Sequence, residues 1–421
     1  MTRLFLYTFA ALAAIFANST KAAAQQFDEW FCDSTLRIDY TFAGNATRQE
    51  IYVDKLNLMP RWYGKRSRMA ELPVDGNGQI TVRSHKTGQV IYRNSFSTLF
   101  QEWLSYDEAK GAGKSFENVF LIPMPKDTVD VTVDLRNSRR EIMTTYTHTV
   151  VPGDTPIRHT RFAAVTPSTT HCIHIAFRAE GYRANEMDTF LADARIATDA
   201  LFAHEPFKSM KGRFNVVAVK APSTDSGTSE PAKGVWRNTA LGSHFDTFYS
   251  SRYLTTLNLK DMHDQLAGTP YEHIIVLVNT SEYGGGGILN SYNLAMAHHE
   301  LFKPVVVHEF GHSFGGLGDE YAYESEAIPM YPHDVEPWEP NLTTLHDFGV
   351  KWKDMMDAGT PIPTPQTKKY AGKVGVYEGA GYSMKKVYRP AQDCRMRTNE
   401  NPEFCPVCQR ALRRLIDFYT R

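Results

Sequence analysis

Three side chains near residue 308 have the types and spacing needed for metal-assisted hydrolysis. His308 and His312 are four residues apart, so both imidazoles lie on one face if the segment is helical. Two neutral imidazoles at that spacing can bind one Zn²⁺ at about 2.0–2.1 Å. Glu309 follows the first histidine, close enough to reach a water molecule at the metal without binding the metal itself. We therefore predict one catalytic zinc ion bound by His308 and His312, with Glu309 as the catalytic acid/base.

The residues that precede the motif favour a buried helix. Pro304 suits the first turn of a helix, where its missing N–H leaves no hydrogen bond unmade. Val305, Val306 and Val307 then make the segment strongly apolar. Unliganded histidines in such a helix would be costly to bury, so metal ligands are favoured over a pair of solvated histidines.

The third protein ligand of the metal is encoded less directly. In the metzincin pattern HExxHxxGxxH/D, which this segment resembles, the third ligand would fall at Gly318, where no ligand is present. A carboxylate comes one residue later, and we predict that Asp319 is the third ligand because Gly318 lets the backbone adjust. Glu320 and the more distant Glu378 remain alternatives. Gly315 is expected to take the left-handed conformation that turns the chain back towards the metal.

Three other segments could complete such a site. The glycine-rich residues 282–288 could form an edge strand that pairs with an extended substrate, or a flexible loop. Met396 stands before a helical stripe, as in the turn that lies beneath the metal of metzincins, although an ordinary packed methionine is an alternative. Tyr382 could donate a hydrogen bond to a developing oxyanion, or could simply be a core or rim tyrosine.

The five cysteines allow two interpretations. They are Cys32, Cys172, Cys394, Cys405 and Cys408, an odd number that leaves at least one thiol outside any disulfide within the chain. The last three could form a metal cluster, but a fourth ligand at zinc-site spacing is missing. We favour a local disulfide that holds the C-terminal segment.

The first residues predict export. Arg3 is followed by a predominantly apolar stretch at residues 4–17, and small residues at 22–24 suit cleavage. We predict a signal peptide at residues 1–24 and a periplasmic or extracellular location, with an uncleaved anchor as the alternative. No later stretch reaches 18 consecutive apolar residues, so no membrane span is expected in the mature chain.

The charge balance argues against nucleic-acid binding. Lys and Arg total 46 and Asp and Glu total 47, which gives a formal net charge of −1. No basic excess is present to neutralise a phosphate backbone.

Residues 25–165 are predicted to form a β-sandwich domain. Residues 36–42 and 129–135 alternate apolar and polar, as half-buried strands do. Repeated short strands separated by turn signals are typical of a sandwich of immunoglobulin-like character. No metal ligands or nucleophile gather in this part, so we expect it to have a structural or substrate-orienting role.

Residues 166–421 have a different pattern, which predicts an α/β catalytic domain and an α+β protein overall. A linker is expected at residues 151–156 and 166–168, followed by strands at 172–177, 214–219 and 274–278. Asn185 is expected to cap a helix with a 3.6-residue apolar stripe. The strand at 274–278 is nearly all apolar and should be central in its sheet.

Longer segments resemble a known family. HEFGHSFGGLGDEY, EGAGY and CRMRTNENPEFCPVC resemble the IgA-specific metallopeptidases (the IgA peptidases), and FCDSTLRIDYTF, GNGQI and FSTLFQEWLSYDEAK are similar to that family's N-terminal domain. The resemblance implies a β-sandwich followed by a metzincin-like zinc peptidase domain. It also implies His308 and His312 as zinc ligands, Glu309 as the acid/base and Asp319 as the third ligand. It does not imply that immunoglobulin A is the substrate.

These observations predict a secreted zinc-dependent endopeptidase that acts on an extended protein or peptide. The metal would polarise the scissile carbonyl and acidify the attacking water, while Glu309 moves the proton. Two alternatives stay open: a catalytically silent binding or adhesion protein, and a zinc hydrolase acting on cell-wall or glycan amide bonds. The intact Glu309 argues against the silent protein, because a structural zinc site needs no free carboxylate.

Overall fold

The computed structural model describes residues 27–154, 157–159, 171–324 and 330–420. The predicted signal peptide, at residues 1–24, and the predicted linker at 166–168 lie outside these ranges, so both stay predictions. Among the residues described, none of the helices has the length and apolar character that a membrane crossing requires.

The described chain is a mixed α+β structure. Strands β1 to β15 are Phe31–Gly44, Gln49–Met59, Gly78–Ser84, Val90–Phe96, Lys114–Pro125, Val129–Arg136, Ile142–Val150, Ile157–His159, Ile173–Glu180, Phe214–Val219, His273–Val278, Gly285–Ile288, Tyr292–Met296, Tyr377–Ala380 and Ser383–Arg389. Helices α1 to α7 are Phe27–Trp30, Leu99–Trp103, Glu108–Gly111, Met187–Leu201, Leu259–Leu266, Phe302–Ser313 and Pro406–Thr420. The first eight strands precede the longer helices, as the sequence predicts.

The N-terminal part consists of two four-stranded sheets, ordered β5-β1-β2-β8 and β4-β3-β6-β7. Aromatic rings fill the space between them. Phe96 of β4 lies 4.3 Å from Phe120 of β5 and 6.4 Å from Phe42 of β1, measured between ring centroids. Such aromatic contacts bury large apolar surfaces. The prediction of a β-rich N-terminal part is confirmed, whereas its immunoglobulin-like character stays a prediction.

Strand β1 is more buried than its sequence pattern predicts. Residues 35–40 are all buried, although alternation predicts one exposed face. Helix α5, from the C-terminal part, lies next to this sheet and accounts for the difference. Arg37 donates to Asp39 Oδ1 at 2.6 Å and also to two acceptors on α5, Asp264 Oδ1 at 2.5 Å and Lys260 O at 2.9 Å. The two parts of the chain therefore share a polar contact around the buried side chain of Arg37.

Arg37→Ala is expected to lower the free energy of unfolding by about 3–5 kcal/mol, because Asp39 would keep its buried charge without the cation that binds it. The Arg37 and Asp39 side chains are only 3% and 1% exposed. Arg48→Ala is the matched control, since Arg48 is 80% exposed in its ion pair and should contribute less than about 1 kcal/mol. Urea unfolding followed by circular dichroism measures both. Equal effects of the two substitutions would contradict the buried contact.

The C-terminal part contains a five-stranded sheet ordered β10-β9-β11-β13-β12. The first four strands are parallel, and β12 pairs antiparallel with β13 at one edge. Strand β11 is central and wholly buried, and β10 has the predicted bounds, so both predictions are confirmed. Asn185 lies in a single 3₁₀ turn, Ala184–Glu186, and α4 begins only at Met187, so the prediction of Asn185 as its cap is wrong.

Helix α6 is positioned by the edge of this sheet. It packs against β12, β13 and α4. Its buried apolar residues include Val305, Val306, Val307 and Phe310, so the apolar run seen in the sequence is the face that fixes the helix. The predicted domain boundary at residues 165/166 lies outside the described ranges and stays a prediction.

Candidate active site

Helix α6 places the two motif histidines one turn apart on the same face. Pro304 stands in its first turn, as predicted. The Nε2 atoms of His308 and His312 lie 3.0 Å from each other. Each histidine is largely but not wholly buried, with side-chain exposures of 14% and 17%.

The turn after α6 brings a carboxylate back to the histidines. Gly316, with φ +60°, takes the left-handed conformation, so the assignment of that role to Gly315 is wrong. Gly315 is needed for a different reason, since a Cβ there would lie 2.6 Å from the carbonyl oxygen of Gly311. Asp319 Oδ1 then lies 3.1 Å from His308 Nε2 and 3.3 Å from His312 Nε2.

Backbone carbonyls fix the protonation of both rings. His308 Nδ1 lies 3.0 Å from the carbonyl oxygen of Arg395, and His312 Nδ1 lies 2.6 Å from that of Leu317. A carbonyl oxygen only accepts, so each Nδ1 carries the hydrogen and each Nε2 of a neutral ring keeps a lone pair. This is the arrangement found around metal-binding histidines.

The three inward-facing atoms fit a metal ion. Two nitrogen lone pairs 3.0 Å apart repel each other unless a proton or a cation lies between them. A tetrahedral zinc ion, at about 2.0–2.1 Å from its ligands, would separate neighbouring nitrogen and oxygen ligands by about 3.3 Å. The observed separations of 3.0, 3.1 and 3.3 Å are close to that value.

The electrostatics of the cluster keep Asp319 ionised. Burial alone would raise the pKa of Asp319, but the positive charge of the histidines in their protonated form, with the hydrogen bonds that they then donate, outweighs burial and lowers it. Burial raises the pKa of Glu309, and the neighbouring histidines oppose that rise. Glu309 therefore has the greater affinity for a proton of these two carboxylates.

The geometry separates Asp319 from the two alternative ligands. Glu320 points away from the histidines, and its Oε1 accepts a hydrogen bond from Asn341 Nδ2 at 2.9 Å. Glu378 accepts from Lys385 Nζ at 3.0 Å and from the Lys386 backbone N–H at 3.1 Å. Of these three carboxylates, Asp319 is the one that lies at the histidines.

The glycine-rich segment forms β12, which lies directly against α6. A Cβ at Gly285 would come within 2.6 Å of Glu309 Oε1, and one at Gly287 within 2.5 Å of the Glu309 carbonyl oxygen. The outer edge of β12 is partly occupied, because Gly285 exchanges hydrogen bonds with the backbone of Arg252 and Leu254 at 3.2 and 3.1 Å. A substrate pairing with this edge would therefore reach it from Gly287 onwards.

Replacing these two glycines by alanine should have different effects. A Cβ at Gly285 meets side-chain atoms of Glu309 from Cγ to Oε1, so Gly285→Ala should displace that side chain and reduce activity by about 10²-fold with little loss of stability. Gly287→Ala meets a backbone carbonyl and should lower stability by about 1–3 kcal/mol. Gly212→Ala is the control, because a Cβ there has no neighbour within 4 Å in the described part of the chain. Activity and melting temperature measured together test the pair; a fully active Gly285→Ala protein would contradict the close approach.

Met396 packs against α6, as both the predicted turn and an ordinary packed methionine would place it, so its role stays a prediction. Its side chain is fully buried, and a Cβ at Gly311 would come within 2.6 Å of its sulfur. The neighbouring carbonyl of Arg395 holds His308, and the carbonyl of Met396 accepts from the N–H of Glu320 at 2.8 Å. This turn therefore positions His308 directly and Asp319 through the neighbouring Glu320.

Tyr382 lies at the rim of the same site. Its hydroxyl is 2.7 Å from that of Tyr321, and the preceding residue, Gly381, donates its N–H to the carbonyl oxygen of Asp319 at 2.8 Å. Burial raises the pKa of Tyr382, and the charge of Asp319 raises it further, so the phenol keeps its proton. The group can therefore donate a hydrogen bond.

Three residues at the site escaped the sequence analysis. The ring of Tyr321 stacks on that of His308 at 6.4 Å between centroids, and the Arg252 guanidinium lies 5.5 Å from the Tyr321 centroid. Glu102, on α2, accepts from Tyr253 at 2.6 Å, and burial raises its pKa to about 7. Tyr321 follows the motif directly, but nothing in the sequence places Arg252 or Glu102 near it.

A cleft of about 310 Å³ runs from the histidine cluster between the two parts of the chain. Its lining includes Asn77, Thr98, Gln101, Glu102 and Arg140 from the N-terminal part and Gly287, His312, Asp319, Trp338 and Tyr382 from the C-terminal part. Trp338 Nε1 donates to Asn77 Oδ1 at 2.9 Å. The N-terminal part therefore forms one wall of the cleft, which agrees with a substrate-orienting role.

The cysteines do not form the local disulfide that the sequence analysis favours. All five lie in the described residues and carry free thiols. The sulfurs of Cys394 and Cys408 are 3.9 Å apart, against about 2.05 Å in a disulfide. The carboxylate of Glu320 lies beside Cys394, Cys405 and Cys408. Glu320 precedes the first of these cysteines by 74 residues, so the spacing of the cysteines does not reveal it.

Comparison with known protein families agrees with the resemblance seen in the sequence. The family model for the Peptidase M64 N-terminus matches residues 26–147, and the model for IgA Peptidase M64 matches residues 163–370 and 366–416. No curated protein matches the chain. Because the matches cover most of its length, the chain belongs to the IgA peptidase M64 family and is, by that membership, a peptidase.

Proposed function

We propose that this chain is an exported, zinc-dependent endopeptidase. The convergence of His308 Nε2, His312 Nε2 and Asp319 Oδ1 carries the proposal, because their separations of 3.0–3.3 Å fit one metal ion. Glu309 lies on the same helix beside them, where a general base for hydrolysis is needed. Membership of a peptidase family supports peptide bonds as the target.

The mechanism assigns separate roles to the metal and to Glu309. A zinc ion held by His308, His312 and Asp319 would polarise the scissile carbonyl and acidify the attacking water. Glu309 accepts the proton as the water oxygen bonds to the carbonyl carbon. It then gives the proton to the amine nitrogen as the carbon–nitrogen bond breaks. Its raised pKa favours the first of these transfers, since a carboxylate with a higher pKa is a stronger base towards the water proton.

Tyr382 is the proposed donor to the developing oxyanion. Its hydroxyl shares a hydrogen bond with Tyr321, which orients it at the rim of the cleft. A neutral phenol in that place can stabilise negative charge on the carbonyl oxygen. Tyr321 acts as its positioning residue.

The proposed substrate is an extended segment of a protein or peptide. Strand β12 offers backbone at the edge of the sheet from Gly287 onwards, where an extended chain can pair. The opposite wall, from the N-terminal part, contributes Gln101, Glu102 and Arg140. Polar and charged groups of both signs on that wall would select among side chains of the substrate.

A side-by-side assay tests the proposal. The purified chain is incubated with a mixed peptide library and with cell-wall and glycan amide substrates, before and after chelation. We expect cleavage of peptides only, loss of activity on zinc removal, and recovery when zinc is returned. Cleavage of glycan amides alone would support the other zinc hydrolase, and no cleavage of either class would contradict the proposed enzyme.

A further inference from the structure

A second cluster of metal-binding side chains lies behind the histidine site. It consists of Cys394, Cys405, Cys408 and Glu320, whose donor atoms all lie within 4.8 Å of one another. The four residues are 0%, 5%, 0% and 0% exposed. None of these side chains takes part in the mechanism proposed above, so the cluster needs a separate explanation.

The distances within this cysteine–glutamate cluster fit a bound zinc ion. Zinc–sulfur bonds of about 2.3 Å in a tetrahedral site place two thiolates about 3.8 Å apart. The sulfurs of Cys394 and Cys408 are 3.9 Å apart, and Glu320 Oε1 lies 3.0 Å from Cys408 and 4.0 Å from Cys405. Three thiols and one carboxylate thus supply a complete set of four ligands.

The surroundings provide what a buried anionic ligand set needs. Glu320 Oε2 is buried and has no hydrogen-bond partner among the residues that the structure describes, which is costly unless a cation binds the carboxylate. The N–H groups of Cys405 and Met396 point at the Cys394 sulfur, at 3.1 and 3.5 Å, and would stabilise a thiolate. Asn341 Nδ2 donates to the other oxygen of Glu320 at 2.9 Å and fixes its orientation.

Two cationic side chains offset the remaining negative charge. Arg389 lies close enough to act electrostatically on Glu320, and Arg395 acts in the same way on Cys394. Three thiolates and a carboxylate around a divalent cation leave a net charge of −2, so neighbouring guanidinium groups reduce the cost of burying the cluster.

We propose that Cys394, Cys405, Cys408 and Glu320 bind a second zinc ion with a structural role. Four protein ligands leave no open position for water or substrate, which distinguishes a structural zinc site from a catalytic one. The ion would join three segments: the chain after α6, the turn at Met396 and the start of α7.

The position of this ion explains how it would act on the active site. Glu320 follows Asp319 directly, so fixing its side chain restrains the carboxylate that faces the histidines. Cys394 precedes Arg395, whose carbonyl holds His308. The second zinc ion would therefore restrain both Asp319 and the carbonyl of Arg395, the two groups that contact the histidine pair.

Metal analysis of single variants tests this proposal. The purified full chain should contain two zinc ions. Cys408→Ser should contain one, and His308→Ala should also contain one, because each loses a different ion. Cys32→Ser and Cys172→Ser are the matched controls, since these cysteines lie outside the cluster, and both should keep two. Native mass spectrometry gives the count.

A second measurement starts from the wild-type chain, so its first result does not depend on how well a variant folds. Cobalt exchanged into the wild-type chain should show a thiolate-to-cobalt charge-transfer band, and Glu320→Gln should change that band. A wild-type chain with one zinc ion that His308→Ala removes, or a disulfide joining two of Cys394, Cys405 and Cys408, would overturn the proposal. Peptidase activity is not needed for either measurement, so an inactive chain with two zinc ions would still support the second site.

Discussion

Glu309→Gln is expected to reduce peptide hydrolysis by about 10²- to 10⁴-fold while the protein keeps its fold and its catalytic zinc. The amide has nearly the same shape as the carboxylate, but it cannot accept the proton of the attacking water. Glu309 is not one of the three side chains that converge on the metal position, so metal content should not change. Steady-state cleavage and zinc analysis on the same preparation measure both effects.

The matched control for this substitution is Glu300→Gln. Glu300 is exposed and stands just before α6, so the same chemical change is made close by in the sequence but away from the cluster. We expect it to retain wild-type cleavage. Glu309→Gln with wild-type activity would exclude Glu309 as the base and with it the proposed mechanism.

Asp319→Ala is expected to lose the catalytic zinc ion and hydrolysis together. Substituting groups that only support metal ligands already weakens binding about 10- to 100-fold, so removal of a ligand should weaken it further. The loss should resemble that of His308→Ala, because both residues face the same point. Zinc titration with a competing chelator gives the affinity, and cleavage gives the activity.

Two other carboxylates serve as comparisons for Asp319. Glu378→Gln should keep full zinc content, since the side chain of Glu378 is held by Lys385 and Lys386. Glu320→Gln should affect the second, cysteine-containing site. Loss of catalytic zinc in Glu378→Gln but not in Asp319→Ala would reassign the third ligand.

Local sequence patterns were sufficient to predict the parts of the site that lie on α6. The spacing of His308, Glu309 and His312 sets their common face once the segment is helical, and Pro304 with the valines indicates that helix. Asp319 could be proposed because it follows within one turn of the chain. The assignment of the turn to Gly315 was wrong because sequence alone does not show which of two adjacent glycines takes the left-handed conformation.

Contacts between distant parts of the chain could not be predicted in the same way. The second buried face of β1 depends on α5, more than 200 residues later, through the bonds of Arg37. Glu102 reaches the cleft only because the N-terminal part packs beside β12. Glu320 completes the cysteine cluster from 74 residues before the first of its cysteines. The alternation of apolar residues and the spacing of motif residues each describe a single helix or strand. They therefore contain no information on which other element packs against that helix or strand.

Zinc content and cleavage measured together on the wild-type chain and Glu309→Gln test the central claim most directly. We expect the same zinc content in both proteins and cleavage of the mixed peptide library by the wild type alone. Equal cleavage by both proteins, or wild-type cleavage that persists after all zinc has been removed, would contradict it.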